Sequence, residues 1–311
     1  MKRLILHIIA LILSVSAALA DDSEASVAET APAPRSYAWR FVGPLGGRTP
    51  AGIDTLMLNY AQKSVPSLVF GPASAITGNY GAAGLDMTYF TRPEPTQFMF
   101  DYVLLPYLPD VDRQVFYNTR IPMTLLGYET GGAKNVAQDH FHMTFSGNIN
   151  KRSQVGVFVD FPYSRGYYAN QSMKDFAWGA NGSYMGDHYE MQAALVQFNS
   201  LNKENGGITD DRYITDPEAV QGGSNSLSST SIPVYLSRAS NRVRGLQLLV
   251  NNRYKLGFHR TEPPQPGDTV ERRTFVPVTA FAHTFKFTDG YHCFRDRSAS
   301  DASYWSHSYI D

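Results

Sequence analysis

The sequence predicts an all-β fold, an antiparallel transmembrane β-barrel of the outer-membrane type, and three observations carry that expectation. Period-two alternation recurs from about residue 120 onward, the mark of strands with two unlike faces. After the first twenty residues, no stretch approaches the roughly 18 to 20 consecutive apolar residues of a membrane helix. Several alternating runs exceed ten residues, notably 171–184 and 242–258, which is long for a sandwich strand and suits a tilted barrel wall. A secreted β-sandwich, whose strands also alternate, is the competing reading of the pattern.

The first element is a leader. Met1-Lys2-Arg3 is basic, Leu4 to Leu13 is nearly all apolar, and the run turns small before ending in Ala18-Leu19-Ala20. A basic start, a short apolar core and an A-x-A ending define a secretory signal peptide, so residues 1–20 are expected to be removed by cleavage after Ala20. No cysteine follows the apolar core, which argues against a lipoprotein. The acidic, Pro-containing stretch 21–36 reads as a flexible lead-in. Over the 311 residues, 27 Lys and Arg stand against 28 Asp and Glu. A charge this close to zero argues against a nucleic-acid partner, which needs a basic surface to offset phosphates. Charged residues make up 18%, against about 25% in a typical soluble domain. The single Cys293 excludes an internal disulfide and a Cys-rich zinc site.

Residues 37–119 are dense in Gly, Pro and aromatics, which argues against long helices and shows no clear period. Residues 120–311 are expected to supply the barrel strands and loops. Phe141, Met143 and Phe145 alternate with polar neighbours, as do Val155, Val157, Val159 and Phe161. Phe176, Trp178, Ala180 and Tyr184 follow, then Tyr189, Met191, Ala193 and Leu195. Leu246, Leu248, Val250 and Tyr254 alternate with Gln247, Asn251, Arg253 and Lys255, and Phe275, Phe281, Phe285 and Phe287 share one parity. Links at 148–152 and 185–187 are short, whereas the polar stretch from 199 to 240 is long. Short turns facing long loops distinguish the two ends of an outer-membrane barrel, which makes the 200–240 loop external. Tyr163, Tyr167, Tyr168, Tyr184 and Tyr254 suit an interfacial aromatic girdle.

Five phrases together carry a resemblance: Arg35-Ser36-Tyr37-Ala38-Trp39-Arg40, Tyr117-Asn118-Thr119-Arg120-Ile121-Pro122, Phe145-Ser146-Gly147-Asn148, Ala169-Asn170-Gln171 and the run from Leu201 to Asp211. With these the chain resembles the putative β-barrel porin family of Bacteroidetes-type outer membranes, from about residue 35 to at least 290. The resemblance implies passive diffusion of ions and small hydrophilic solutes through a polar lumen. Outer-membrane lipid would surround the barrel, a homo-oligomer is compatible with it, and neither a cofactor nor a catalytic step is called for. Family members look longer than this chain, which ends on Asp311 where many barrels end on an aromatic. About seven strands are expected after residue 119, whereas single-chain bacterial barrels use an even number. A member truncated at its C-terminus is therefore expected; the alternative is that residues 37–119 hide further strands. The competing functions are a non-conducting barrel for adhesion or assembly and a secreted soluble glycan-binding β protein.

Candidate lumen-facing residues follow from parity. Arg253, Lys255, Gln247 and Asn251 share the polar face of one strand, where fixed charge would bias solute selectivity. His140 and His142 point to one face and His188 with Glu190 repeats that spacing. No third metal ligand is evident beside either pair, so solvated lumen side chains are the favoured reading. The segment Glu204 to Asp211, with Asp216 beyond, offers oxygen ligands for calcium. It lacks the regular acidic spacing of a helix-loop-helix site, and a turn built on Asn205-Gly206-Gly207 accounts for it better. No G-x-S-x-G elbow, H-E-x-x-H pair or phosphate-binding glycine loop occurs.

Overall fold

The computed structural model describes residues 36–43, 46–53, 71, 73–92, 100, 102–133, 136–220, 228–262, 272–298 and 304–306. The expected leader over 1–20, and the lead-in apart from Ser36, lie outside these residues. Five short strands come first: β1 (Tyr37–Val42), β2 (Gly47–Ala51), β3 (Ser74–Ile76), β4 (Gly84–Asp86) and β5 (Val115–Asn118). Seven longer ones follow: β6 (Met123–Gly131), β7 (Gln138–Asn148), β8 (Ser153–Arg165), β9 (Ser172–Met185), β10 (Tyr189–Glu204), β11 (Ala239–Glu262) and β12 (Arg272–Arg295). Two one-turn helices, α1 (Arg212–Thr215) and α2 (Pro217–Val220), interrupt the connection from β10 to β11. No helix among the described residues is long and apolar enough to cross a membrane.

The seven long strands form one antiparallel meander, each paired with its neighbours in sequence. Among the described residues β6 and β12 carry no further strand, so the sheet is an open, partial barrel. Alternation of β-branched and aromatic residues with small or polar ones explains the strands, since each face meets a different environment. The turns are set by local chemistry. Asn150 Oδ1 accepts from the amides of Arg152 and Ser153, each at 2.8 Å, an Asx turn that fixes the β7–β8 hairpin. Arg152 then joins Asp187 at 2.8 Å, tying that turn to the β9–β10 turn.

Register puts the apolar set on one face. Phe287, Leu248, Leu195, Ala180, Val157 and Phe145 lie side by side across six strands. Toward the short turns the same face becomes aromatic: Tyr189 lies 4.8 Å from Tyr254 and 6.1 Å from Tyr184 between ring centres. Toward the long loop it carries Phe161 against Phe176, with Lys174 over the Phe161 ring and Arg244 4.5 Å over Tyr291. From Tyr254 to Arg244 the strand advances ten residues, roughly 33 Å along its axis. At the tilt of an outer-membrane strand this is about 24 Å of height, the depth of an apolar band between two interfaces.

Two expectations are corrected. The run expected over 242–258 extends over Ala239–Glu262, because β12 pairs with β11 along nearly all of its length. Phe275 shares parity with Phe281 but not its row, since the register shifts at Leu256/Gly257 and Phe275 pairs with His259.

The described residues between 37 and 119 add no strand to this seven-stranded sheet, and they pack on it rather than standing apart. β2, β1 and β5 make a three-stranded sheet that packs on the other face of the meander. Trp39, Phe41, Val111 and Phe116 are buried against Ala194, Val196 and Leu249. Leu104, Tyr107 and Leu108 are buried against Ala177, Phe198 and Val243. Removing each large apolar side chain from water contributes about 1.5 to 3 kcal/mol, so the two clusters hold the cover firmly. The interface is dry enough that burial pushes the Tyr107 hydroxyl up to about 12.

Candidate functional site

The covered face also carries the polar residues of the strands, and several of their side chains reach the N-terminal region by hydrogen bonds to backbone. Gln247 Oε1 accepts from the Val111 amide at 3.0 Å. Asn181 donates to the Val115 carbonyl at 3.3 Å, and Ser164 donates to the Tyr80 carbonyl at 2.5 Å. Backbone groups of a segment with few ladder partners would otherwise be buried unsatisfied. A cavity of about 220 Å³ remains between this cover and the sheet, lined by Arg113, Gln114, Thr144, Phe158, Asp160 and Asn181 among others.

Charge on the inner face is sorted into two centres. Near the short turns, Glu190 (side chain 12% exposed) meets Arg48 at 2.6 Å, Lys255 at 2.7 Å and Arg253 at 3.8 Å. Arg253 also donates to the Gly46 carbonyl at 2.9 Å, where φ is +73°. A Cβ at Gly46 would come within 2.6 Å of Asn251 Oδ1, so glycine serves both the backbone angle and the close approach. Asn251 itself donates to Thr284 Oγ1 at 2.7 Å. Three cations around one carboxylate leave this end net positive. Ten residues along β10, beside Ser200, the sign reverses. His140 Nε2 lies 2.5 Å from Asp160 Oδ1, and its Nδ1 lies 3.8 Å from Glu129. Asp175, paired with Ser200 across the strands, is 1% exposed. Among the described residues its Oδ1 meets no donor.

Parity thus places Gln247, Asn251, Arg253 and Lys255 on the same face as Glu190, His140 and His142, whose rings lie 5.5 Å apart. His188 sits apart from them. It falls in the turn before β10 rather than on the strand, and its ring lies 4.3 Å from Phe275 and 5.6 Å from His259. Among the described residues no group of three or more His, Cys, Asp or Glu side chains is arranged to hold a metal ion. In the loop after β10, Gly206 and Gly207 have φ of +67° and +95°, and Asn205 Oδ1 accepts from the Gly207 amide at 3.0 Å. Asp210 takes hydrogen bonds from Arg212, which hold its carboxyl below the usual range.

The phrases singled out in the sequence meet in space. Asn118 donates to Tyr37 Oη at 3.2 Å, and Asn148 donates to Asn118 Oδ1 at 2.9 Å. Ser146 Oγ lies 3.4 Å from the Tyr117 carbonyl. Three separated motifs therefore form one junction where the cover joins β7. Asn170, with φ of +48°, donates to the carbonyls of Glu204, Leu236 and Ala239 at 2.6, 3.1 and 3.2 Å. Asparagine tolerates that backbone region, and here it staples the β8–β9 loop to both ends of the long loop. Sequence spacing could not reveal these partners.

An antiparallel meander with an apolar, aromatic-edged outer face and an inner face that carries the charged and hydrogen-bonding residues defines the class of membrane β-barrels. The chain belongs to the family described as putative porin, whose profile matches residues 35–311. With the family comes a porin-like role at the outer membrane in general. No curated protein and no solved structure matches the chain.

Proposed function

We propose that the chain acts as an outer-membrane channel for passive diffusion of ions and small hydrophilic solutes, with lipid around its outer face. One observation carries this reading: a single sheet presents lipid-compatible rows outside and ionised, hydrogen-bonding groups inside. Water and ions need the second face, and the bilayer needs the first. In this reading the N-terminal region narrows the path, and the positive centre at Arg253 and Lys255 biases it toward anions. Reversing both, Arg253→Glu with Lys255→Glu, should move the reversal potential in a salt gradient toward cation preference. An unchanged reversal potential in planar bilayers would overturn the assignment. Export through a leader cleaved after Ala20 belongs to the same reading, and amino-terminal sequencing of the membrane product should then start at Asp21.

The cover over residues 37–119 favours a second reading, a filled barrel that does not conduct and serves adhesion or assembly. Single-channel recording separates the two. Discrete current steps from the full chain support the channel, and silence from a product with heat-modifiable gel mobility supports the filled barrel.

A further inference from the structure

We propose that the outer face of β10, β11 and β12 carries a binding site for the phosphate-bearing headgroup of a membrane lipid. At the loop end of these strands lies a pocket of about 580 Å³ lined by Lys203, Arg238, Arg242, Arg244, Arg295 and Arg297. Among the described residues no carboxylate lines it, and none of the six basic groups is ion-paired there. The register explains the crowding. Leu201 faces Arg242 and Arg242 faces Cys293, so Lys203 and Arg295 each lie diagonal to Arg242, about 7 to 8 Å away. Like charges set this close destabilise a sheet unless an anion lies between them. The charge is also placed on the lipid side, in line with Leu246, Leu248, Phe285 and Phe287 rather than with Gln247 and Asn251.

That position selects the ligand. Leu248 is six residues below Arg242 on the same face, roughly 20 Å along the strand, so acyl chains would lie on the apolar rows while phosphate oxygens meet the guanidinium groups. Arginine binds phosphate through paired N–H groups, and basic pockets at a membrane interface recognise anionic headgroups. Arg244 packs over Tyr291 at 4.5 Å, which orients one guanidinium at the pocket wall. Free phosphate shares the headgroup chemistry but gains nothing from the apolar rows.

The site rests on the outer face being the lipid face, so each sample is first checked for heat-modifiable mobility. The full chain, folded in neutral detergent, is then mixed with dioleoyl phosphatidic acid, dioleoylglycerol or inorganic phosphate and read by native mass spectrometry. Wild type should retain phosphatidic acid and not dioleoylglycerol, and Arg242→Glu with Arg244→Glu should weaken retention roughly twenty-fold or more. The loop pair Arg238→Gln with Arg297→Gln, which leaves the strands untouched, should weaken it by a smaller factor. Equal retention by wild type and both variants, retention of dioleoylglycerol, or displacement by equimolar inorganic phosphate would overturn the lipid site. An unshifted gel band in wild type would overturn the barrel reading and the site with it.

Discussion

Along β11 the outer face presents Leu246, Leu248 and Val250 to one environment, while the alternate residues Gln247, Leu249 and Asn251 are buried under a segment that precedes them by more than a hundred residues. The outer set is nearly uniform in character and lies in rows with apolar neighbours such as Leu195 and Phe287. The inner set is mixed, and each member is matched to something particular: Gln247 to the Val111 amide, Leu249 to the Trp39 and Phe116 cluster, Asn251 to Thr284. A face that meets a solvent, as the outer face does in the proposed channel, needs only the right average polarity. A face that meets another part of the chain needs complementary shape and paired polar groups.

Three substitutions probe that contrast. Phe116→Ala should have the largest effect, about 3 to 5 kcal/mol, and should fall on the cover. Protease should then cut within residues 37–119 while the heat-modifiable band from β6–β12 persists. Loss of that band as well would show that the two faces share one cooperative unit. Leu248→Arg places a charge in the middle of the outer band and should cost about 2 to 4 kcal/mol where that band lies in lipid. Urea titration of protein folded in vesicles reads this as a lower midpoint, and an unchanged midpoint would mean that the outer face does not meet the bilayer. Asn148→Ala, at the junction with Asn118, removes the partner of one side-chain amide and should cost about 1 kcal/mol. It should accelerate exchange of the Thr119 amide, which lies 3.5 Å from Asn148 Oδ1.

The same contrast explains what was legible in the sequence. Alternation from Phe141 to Phe287 is visible because each strand is long and apolar residues dominate the middle of its outer face, so the period repeats several times before the chain turns. Gln247, Asn251 and Arg253 are legible as one face by parity alone. The cover is not, because β1–β5 run for three to six residues each, too short for a period to emerge among the glycines and prolines. Nor does spacing foretell that Arg48 reaches Glu190, 142 residues away. The basic pocket is hidden for a related reason: Lys203, Arg242 and Arg295 belong to three strands, and only register brings them together. His188 shows the limit of parity at strand ends, where one residue of difference moves a side chain from the wall into a turn.

The order of elements along the chain has a kinetic consequence. Strands β6–β12 pair with sequence neighbours, so every hairpin except the one across 205–238 closes over a short loop. The cover is synthesised first, yet it is anchored last, since Asp112 waits for Lys286, 174 residues on, and Gly46 waits for Arg253, 207 residues on. Contacts this distant slow a chain's acquisition of its native state, and the apolar groups of Trp39, Phe41 and Phe116 stay exposed until β10 and β11 arrive. Docking of the N-terminal segment into a sheet already formed is the expected slow step of folding, and the chain is most prone to aggregate in the interval before it.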